Sequence, residues 1–210
     1  MRSGDALRRK HRRQTHSRIV ENASYGRQNG SEGLSVVDLM KLAGLTHGGF
    51  YNHFDSRAAL VGEAIAFAMD QMTARWKKLA NGKANGERFE ALIADYLSAR
   101  HRDNPKHGCA LPALAADVAR SSPRERRALA SKLERMIDVF VELLPDEEPQ
   151  QARQIATGAI ATMVGSMVLS RAVGAGKLSD SILEAGRMTA GGRIRKPQRR
   201  TIKAMRCDKS

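Results

Sequence analysis

Apolar residues recur along this chain three and four positions apart, the spacing of helix faces, and no stretch alternates as a half-buried strand would. After a polar, basic arm over residues 1–11, a weak helical segment runs from about Gln14 to Gln28 and carries Ile19, Val20, Ala23 and Tyr25. Asn29, Gly30, Ser31 and Gly33 form a turn cluster. Ser35 then serves as a helix N-cap with Asp38 at capping-box distance, and the short helix it opens presents Val36, Leu39, Met40 and Ala43. Gly44 suits the position that ends this helix with φ > 0. Leu45 plugs the turn, and Thr46 caps a second short helix to about His53, with Phe50 and Phe54 on one face. A longer helix starts at Asp55 or Ser56 and runs through Met72 towards Leu79.

Helical spacing continues to the end of the periodic region. Gly82 to Gly86 is a break, and the next helix carries Phe89, Leu92, Ile93, Tyr96 and Leu97. Asp103 to Gly108 is a loop. A helix from about Leu111 tolerates Pro112 in its first turn and presents Leu114, Ala115 and Val118. Ser122 and Pro123 cap and open the following helix, with Leu129, Leu133, Met136, Ile137, Phe140 and Leu144. Pro145 to Pro149 is an acidic loop. The most apolar helix extends from Gln150 to about Ala172, Gly174 to Gly176 breaks it, and Ser179 or Asp180 caps a last helix through about Ala190. Residues 191–210 lack a helical period, contain Pro197, and are expected to be a basic disordered tail.

The fold class expected is therefore all-α: an N-terminal helix-turn-helix domain over 12–72, then a helical regulatory and dimerisation domain over 73–190. With 41% apolar and 28% charged residues in 210, the chain has a globular composition, and 4% aromatics lean away from a β-sandwich. The apolar stretch from Ile155 to Val173 is interrupted by Thr, Gly, Ser and Arg171, so no membrane span is expected. The basic start lacks a following apolar segment and does not read as a secretory signal. Two cysteines, Cys109 and Cys207, give no disulfide framework and fit a reducing cytoplasm.

Charge is end-loaded. Residues 1–60 hold ten basic and five acidic side chains and residues 193–210 eight and one, whereas the middle is nearly neutral. A net charge of +14 so distributed suits phosphate backbone or another anionic surface, or else a solubilised surface with a loose tail.

Residues 35–54 carry the chemistry. Two short helices joined by a tight glycine turn form a helix-turn-helix. A helix of about seven residues cannot stand alone, so Val36, Leu39, Ala43, Leu45, Phe50 and Phe54 must supply a small shared core. The second helix then turns Thr46, His47, Gly48, Tyr51, Asn52 and His53 outward. Its N-terminal N–H groups suit phosphate and its flank fits the major groove. Gly48 and Gly49 each cost about 1 kcal/mol relative to Ala inside a helix. Close approach to DNA and tight packing on the partner helix both account for them.

The run Leu45-Thr46-His47-Gly48-Gly49-Phe50-Tyr51-Asn52-His53-Phe54, with Ser56, Arg57 and Leu60 after it and Ser35-Val36 and Asp38-Leu39 before it, resembles the DNA-binding region of TetR-family transcriptional regulators. The resemblance covers about residues 12–72. A weaker likeness to some members' regulatory domains lies in His107-Gly108-Cys109-Ala110-Leu111 and Asp117-Val118-Ala119-Arg120. It implies that Ser35 and Thr46 cap the two helices, with Thr46 also on phosphate. It places His47 and Gly48 at base edges, Asn52 on the exposed flank, and Tyr51, His53 and Arg57 on phosphates. It further implies a homodimer on a palindromic double-stranded operator, and repression released by a small-molecule effector of unknown identity. Members often end near their last helix, which leaves the basic tail outside the resemblance.

No catalytic motif, phosphate-binding glycine loop or acid pair stands out, so neither enzyme nor cofactor is expected, and no membrane partner. His101, His107 and Cys109 have no evident fourth ligand, which speaks against a metal site. Cys109, just before a helix start, fits a buried small residue or an oxidant-sensitive thiol. Trp76, Cys109, Met136, Phe140, Met163 and Met167 fit either an ordinary core or the wall of an apolar effector pocket. The competing functional class is a non-specific basic nucleic-acid-binding protein, and a helical enzyme is a distant third.

Overall fold

The computed structural model describes Lys10, residues 13–21 and residues 51–192, with the side chains at 57, 58, 85, 86, 106 and 117 left aside. The helix expected around residues 35–43 lies outside the described residues, as does the second one as far as residue 50; its expected end at 51–53 is instead a turn. Residues 13–21 are helical, and no strand occurs among the described residues.

The first long helix, α1 (Arg57–Ala80), begins where Ser56, in extended conformation, turns its Oγ to accept the Ala59 N–H at 3.1 Å. Lys77 and Lys78 sit at its negative end, and Gly82 with φ +80° turns the chain away. Twenty-four residues make a rod about 36 Å long. It buries Leu60, Ala64, Ile65, Ala68, Met69, Met72 and Trp76 along one stripe.

α2 (Asn85–Tyr96) starts earlier than expected, so the break is confined to Asn81–Ala84. α3 (Ala99–Asp103) is a single turn that apolar spacing did not predict; Ser98 caps it. A 3-10 turn (Pro105–His107) leads to α4 (Leu111–Ala119). α5 (Pro123–Val141) opens on a full capping box, with Ser122 Oγ bonded to the Glu125 N–H and the Glu125 carboxylate accepting the Ser122 N–H at 2.8 Å. α6 (Pro149–Ala172) has proline at its first position, where the missing N–H costs nothing.

The last helix differs from expectation. α7 (Lys177–Gly191) begins after Gly176, whose φ of +155° makes the turn, so neither Ser179 nor Asp180 is its cap. Ser179 is fully buried and donates to the Ser170 carbonyl at 2.7 Å, while Asp180 accepts from Arg102. The hydroxyl joins two helices, and the glycine supplies the turn.

α6 is the hub, packed on α7 and α5 most extensively and also on α2, α3 and α4. Its length and composition would let it cross a membrane. In this fold, however, Ala152, Ala156, Ala159, Ile160, Met163, Met167 and Ser170 face the protein interior. The few aromatics gather beside it. Phe140 meets Trp76 edge-on at 5.1 Å between centroids and Phe89 at 5.3 Å, contacts worth about 0.5–1.5 kcal/mol each beyond burial. Phe140 bridges α1 and α2 through these rings. Phe140→Ala is expected to cost about 3–5 kcal/mol, measured by denaturant unfolding followed through the emission of Trp76, the chain's one tryptophan.

Candidate functional site

Residues 13–21 and the turn at 51–54 meet the start of α1. His16 lies three and four positions before Ile19 and Val20, which puts all three on the inner face of their helix; Ile19 and Val20 are buried. The His16 ring stacks on Phe54 at 4.4 Å and 23°, and its Nε2 is 2.6 Å from Glu63 Oε2 on α1. One imidazole thus holds the N-terminal segment to both the 51–54 turn and α1. Phe54 and Leu60 are buried, as a small shared core requires. Sequence reasoning missed His16, although its 3/4 spacing from Ile19 and Val20 was the available signal.

Around this clamp, Tyr51 is 63% exposed and Asn52 is exposed, whereas His53 is half-buried with its ring 6.0 Å from His16. Arg57 is the first residue of α1. Ser35, Thr46, His47 and Gly48 lie outside the described residues. Tyr51, Asn52, His53 and Arg57 are therefore gathered at one end of α1, with exposed Arg13 and Arg18 on the neighbouring segment.

A second polar construction sits inside the regulatory domain, where α2 gives way to α3. The His101 ring lies edge-on to Tyr96 at 4.5 Å. Its Nδ1 is 2.6 Å from the Tyr96 carbonyl, which can only accept, and its Nε2 accepts the Cys109 N–H at 2.9 Å. The ring is therefore neutral with its proton on Nδ1. Burial, opposed by the Tyr96 carbonyl and reinforced by the Arg171 charge, pulls its pKa down to about 4. A Cβ on Gly108 would stand 2.4 Å from that Nε2, so the residue before Cys109 has to be glycine.

Arginines extend the lock. Arg171 on α6 donates to the carbonyls of His101 at 2.8 Å and Arg102 at 3.2 Å. Arg102, itself buried, reaches Asp180 at 2.6 Å, Ser179 at 3.0 Å and Asp103 at 2.7 Å. Hydrogen bonds to these two carboxylates raise its pKa. The stretch His107–Leu111 packs around His101, with the Cys109 N–H on its Nε2 and no space for a side chain at Gly108.

The six candidate pocket residues, Trp76, Cys109, Met136, Phe140, Met163 and Met167, come together in one core and are almost wholly buried. One buried donor there lacks an acceptor, Trp76 Nε1–H, while the Tyr96 hydroxyl, on a ring 6.0 Å away, lies against the Cys109 thiol. Burial first, and the Cys109 thiol second, raise the Tyr96 pKa well above its ordinary value. A cavity of about 180 Å³ opens beside this core between Met72, Arg75, Asp95, Arg100, His101, Asn104 and His107. A second, of about 140 Å³, lies at the end of α7 against Phe89, Glu90, the turn 143–147 and Ile155. None of the six lines either cavity.

These parts define a class: a small head bearing exposed polar residues, joined through one continuous helix to a larger domain that is helical among the described residues. Comparisons narrow it. Residues 86–178 match the family profile of the C-terminal domain of LmrA/YxaF-like transcriptional regulators, a TetR-type regulatory domain. A TetR transcriptional regulator from Chloroflexus aurantiacus J-10-FL superposes with a TM-score of 0.69 at 21% identity, covering 87% of this chain and 94% of that one. A TetR-family regulator from Cytophaga hutchinsonii gives 0.70 at 20% identity, covering 87% and 96%. NemR of E. coli in its reduced form gives 0.68 at 19%, covering 84% and 95%. Among curated proteins none matches the chain. The chain thus shares the fold of these TetR-family regulators, and its residues 86–178 match the C-terminal domain of one group of transcriptional regulators.

The neutral His101 ties stability to pH. Between pH 6.5 and about 4 the unfolded chain takes up a proton that the folded chain refuses, so stability falls as pH falls through this window. The shift corresponds to about 3 kcal/mol. Denaturant unfolding at pH 6.5 and at pH 4 should show that this portion of the acid loss disappears in His101→Gln, whatever the variant's absolute stability.

Proposed function

We propose that this chain is a homodimeric cytoplasmic repressor that holds a palindromic operator through residues 12–72 and releases it when a small molecule enters the regulatory domain, residues 73–190. The observation that carries the proposal is the clustering of Tyr51, Asn52, His53 and Arg57 at the end of α1 beside the His16–Phe54 clamp. In this reading Ser35 and Thr46 cap the two short helices, with Thr46 also on phosphate. His47 and Gly48 read base edges, Tyr51, His53 and Arg57 hold phosphates, and Asn52 lies on the exposed flank.

Support for release by an apolar effector comes from the core at Trp76, Cys109, Met136, Phe140, Met163 and Met167. Methionine walls repack readily, and the acceptorless Trp76 donor costs about 1–3 kcal/mol until something accepts from it. An apolar molecule with a carbonyl-like acceptor meets both conditions. Met72, one turn before Trp76 on α1, borders the 180 Å³ cavity through which such a molecule would enter.

The DNA contacts separate this reading from non-specific basic binding. Tyr51→Ala and Arg57→Ala should weaken binding to every duplex alike, and Arg57→Ala should lower the slope of log K against log salt by about one. His47→Ala should instead reorder the preferred sequences among operator variants. Unchanged ranking would remove His47 from base reading, and affinity that tracks salt alone in excess competitor DNA would favour the non-specific binder.

The dimer rests on a face that the monomer leaves uncovered. Val168 and Leu169 of α6, Val173 just after it, and Leu178 and Met188 of α7 are 40–70% exposed. Gly158 and Gly165 on α6 have open space where a Cβ would stand. Small residues beside exposed apolar ones suit close pairing of α6 and α7 with their copies about a two-fold axis. Such an axis would set two recognition helices roughly 34–36 Å apart. Gly165→Glu, with room in the monomer, should sediment as a folded monomer that has lost operator binding. A wild-type chain sedimenting as a monomer at micromolar concentration overturns the dimer.

A further inference from the structure

The 140 Å³ cavity at the end of α7 plays no part in the DNA-binding reading. Ala190, Gly191 and Gly192 form one wall; Phe89, Leu143, Leu144 and Ile155 give it an apolar lining, and Glu90, Asp146 and Glu147 stand around it. None of these three carboxylates has an ion-pair partner among the described residues. In a chain of net charge +14, that leaves three uncompensated anions around one apolar opening.

The backbone leaves α7 at this opening. A Cβ on Gly191 would lie 2.4 Å from Glu90 Oε2, and one on Gly192 would lie 2.6 Å from the Met188 carbonyl oxygen. Gly192 is therefore reserved for glycine by backbone, whereas Glu90 would have to give way at Gly191, and the chain departs with no side chain between it and Glu90. The next residues are Arg193, Ile194, Arg195 and Lys196, the start of an 18-residue segment with eight cations and one anion, outside the described residues.

We infer that residues 193–196 dock back onto this cavity, Ile194 filling its apolar part and Arg193, Arg195 and Lys196 meeting Glu90, Asp146 and Glu147. At ~30 Å³ per water-sized group the cavity holds four or five such groups, about one isoleucine side chain. The docked segment is tethered one residue from the cavity wall, so its effective concentration is high and weak ion pairs suffice. This docking rests on the cavity and the basic segment alone, independent of repression. Its consequence is electrostatic: cations held on carboxylates are withheld from phosphate, which lowers sequence-independent affinity for nucleic acid.

Zero-length carbodiimide cross-linking of the full chain, followed by peptide mass spectrometry, tests it. At low salt, Lys196 should join Glu90, Asp146 or Glu147, within one chain in a mixture of isotopically light and heavy protein. The cross-link should be lost at about 0.5 M salt, where charges are screened beyond a few ångströms. It should also be lost in Ile194→Ser, which leaves the charges unchanged but removes the apolar anchor. Lys196 cross-links spread over other surface carboxylates such as Asp70 and Glu134, and unchanged in Ile194→Ser, would overturn the docking. Cross-links found only between light and heavy copies would overturn it too, since the occupant would then be a second chain.

Discussion

Desolvating α6 is the constraint around which the regulatory domain is arranged. A 24-residue helix with apolar groups on more than one side cannot be covered by a single neighbour, so five others converge on it. Its inward row is mostly alanine, with Ile160, Met163 and Met167 as the larger members. Small residues there let the surrounding helices come close enough for the bulk to be supplied from outside, by Trp76, Phe89 and Phe140. Close approach is equally visible between α6 and α7, where a Cβ on Gly186 would stand 2.4 Å from Ser166 Oγ. The same helix turns Gly158, Gly165, Val168 and Leu169 away from the interior, so covering one side leaves the other apolar.

Close packing around α6 forces polar backbone groups out of water where α3 turns, and the lock of His101, Arg102, Arg171 and Ser179 satisfies them. Four carbonyls around the short helix find donors: that of Tyr96 from His101, those of His101 and Arg102 from Arg171, and that of Ser170 from Ser179. Because His101 must be neutral to accept from Cys109 while donating to Tyr96, the lock has one protonation state. Burial and the Arg171 cation both act to preserve it. Satisfied polar networks of this kind fix geometry, which is how five residues of α3 hold one position against α6 and α7.

Legibility followed the range of the physics. Caps and breakers act within a turn, so Ser122, Pro123, Gly82 and the start of α1 at Ser56 were readable from local residues. Ser179 misled because its residue type suits a cap, whereas its actual partner, Ser170, lies across a turn between two helices. Gly108 carried no readable reason, since the atom that excludes a side chain there belongs to His101, seven positions earlier. Trp76, Met136, Phe140, Met163 and Met167 were legible by residue type as core or pocket wall. That Trp76 would bring a donor without an acceptor into the core was not, because satisfaction of a polar group depends on three-dimensional neighbours. At the head, Tyr51, Arg57 and Phe54 could be grouped from motif spacing, but the clamp through His16 joins residues 47 positions apart.

The two halves of the molecule share α1, and that continuity bears on how a regulatory domain could influence a DNA-binding head. Within about 36 Å, one helix carries Leu60 and Glu63 beside the head, then Met69, Met72 and Trp76 in the regulatory core. No hinge residue interrupts it; Gly62 lies in the helix, with the Glu125 Cγ of α5 at 3.4 Å from where a Cβ would be. Asp70 is paired with Lys132 of α5 farther along, so the first half of α5 runs beside α1. A helix so braced transmits displacement as a rod, not as a flexible linker. Any rearrangement that displaces the α1 backbone at Met72 or Trp76 must therefore shift α1 against α5 or bend it. At its other end, the shift arrives at Glu63, where His16 ties the N-terminal segment to Phe54. Coupling between core and head then requires no chain of intermediate contacts beyond α1 itself, and its strength is set by how firmly α5 resists the motion.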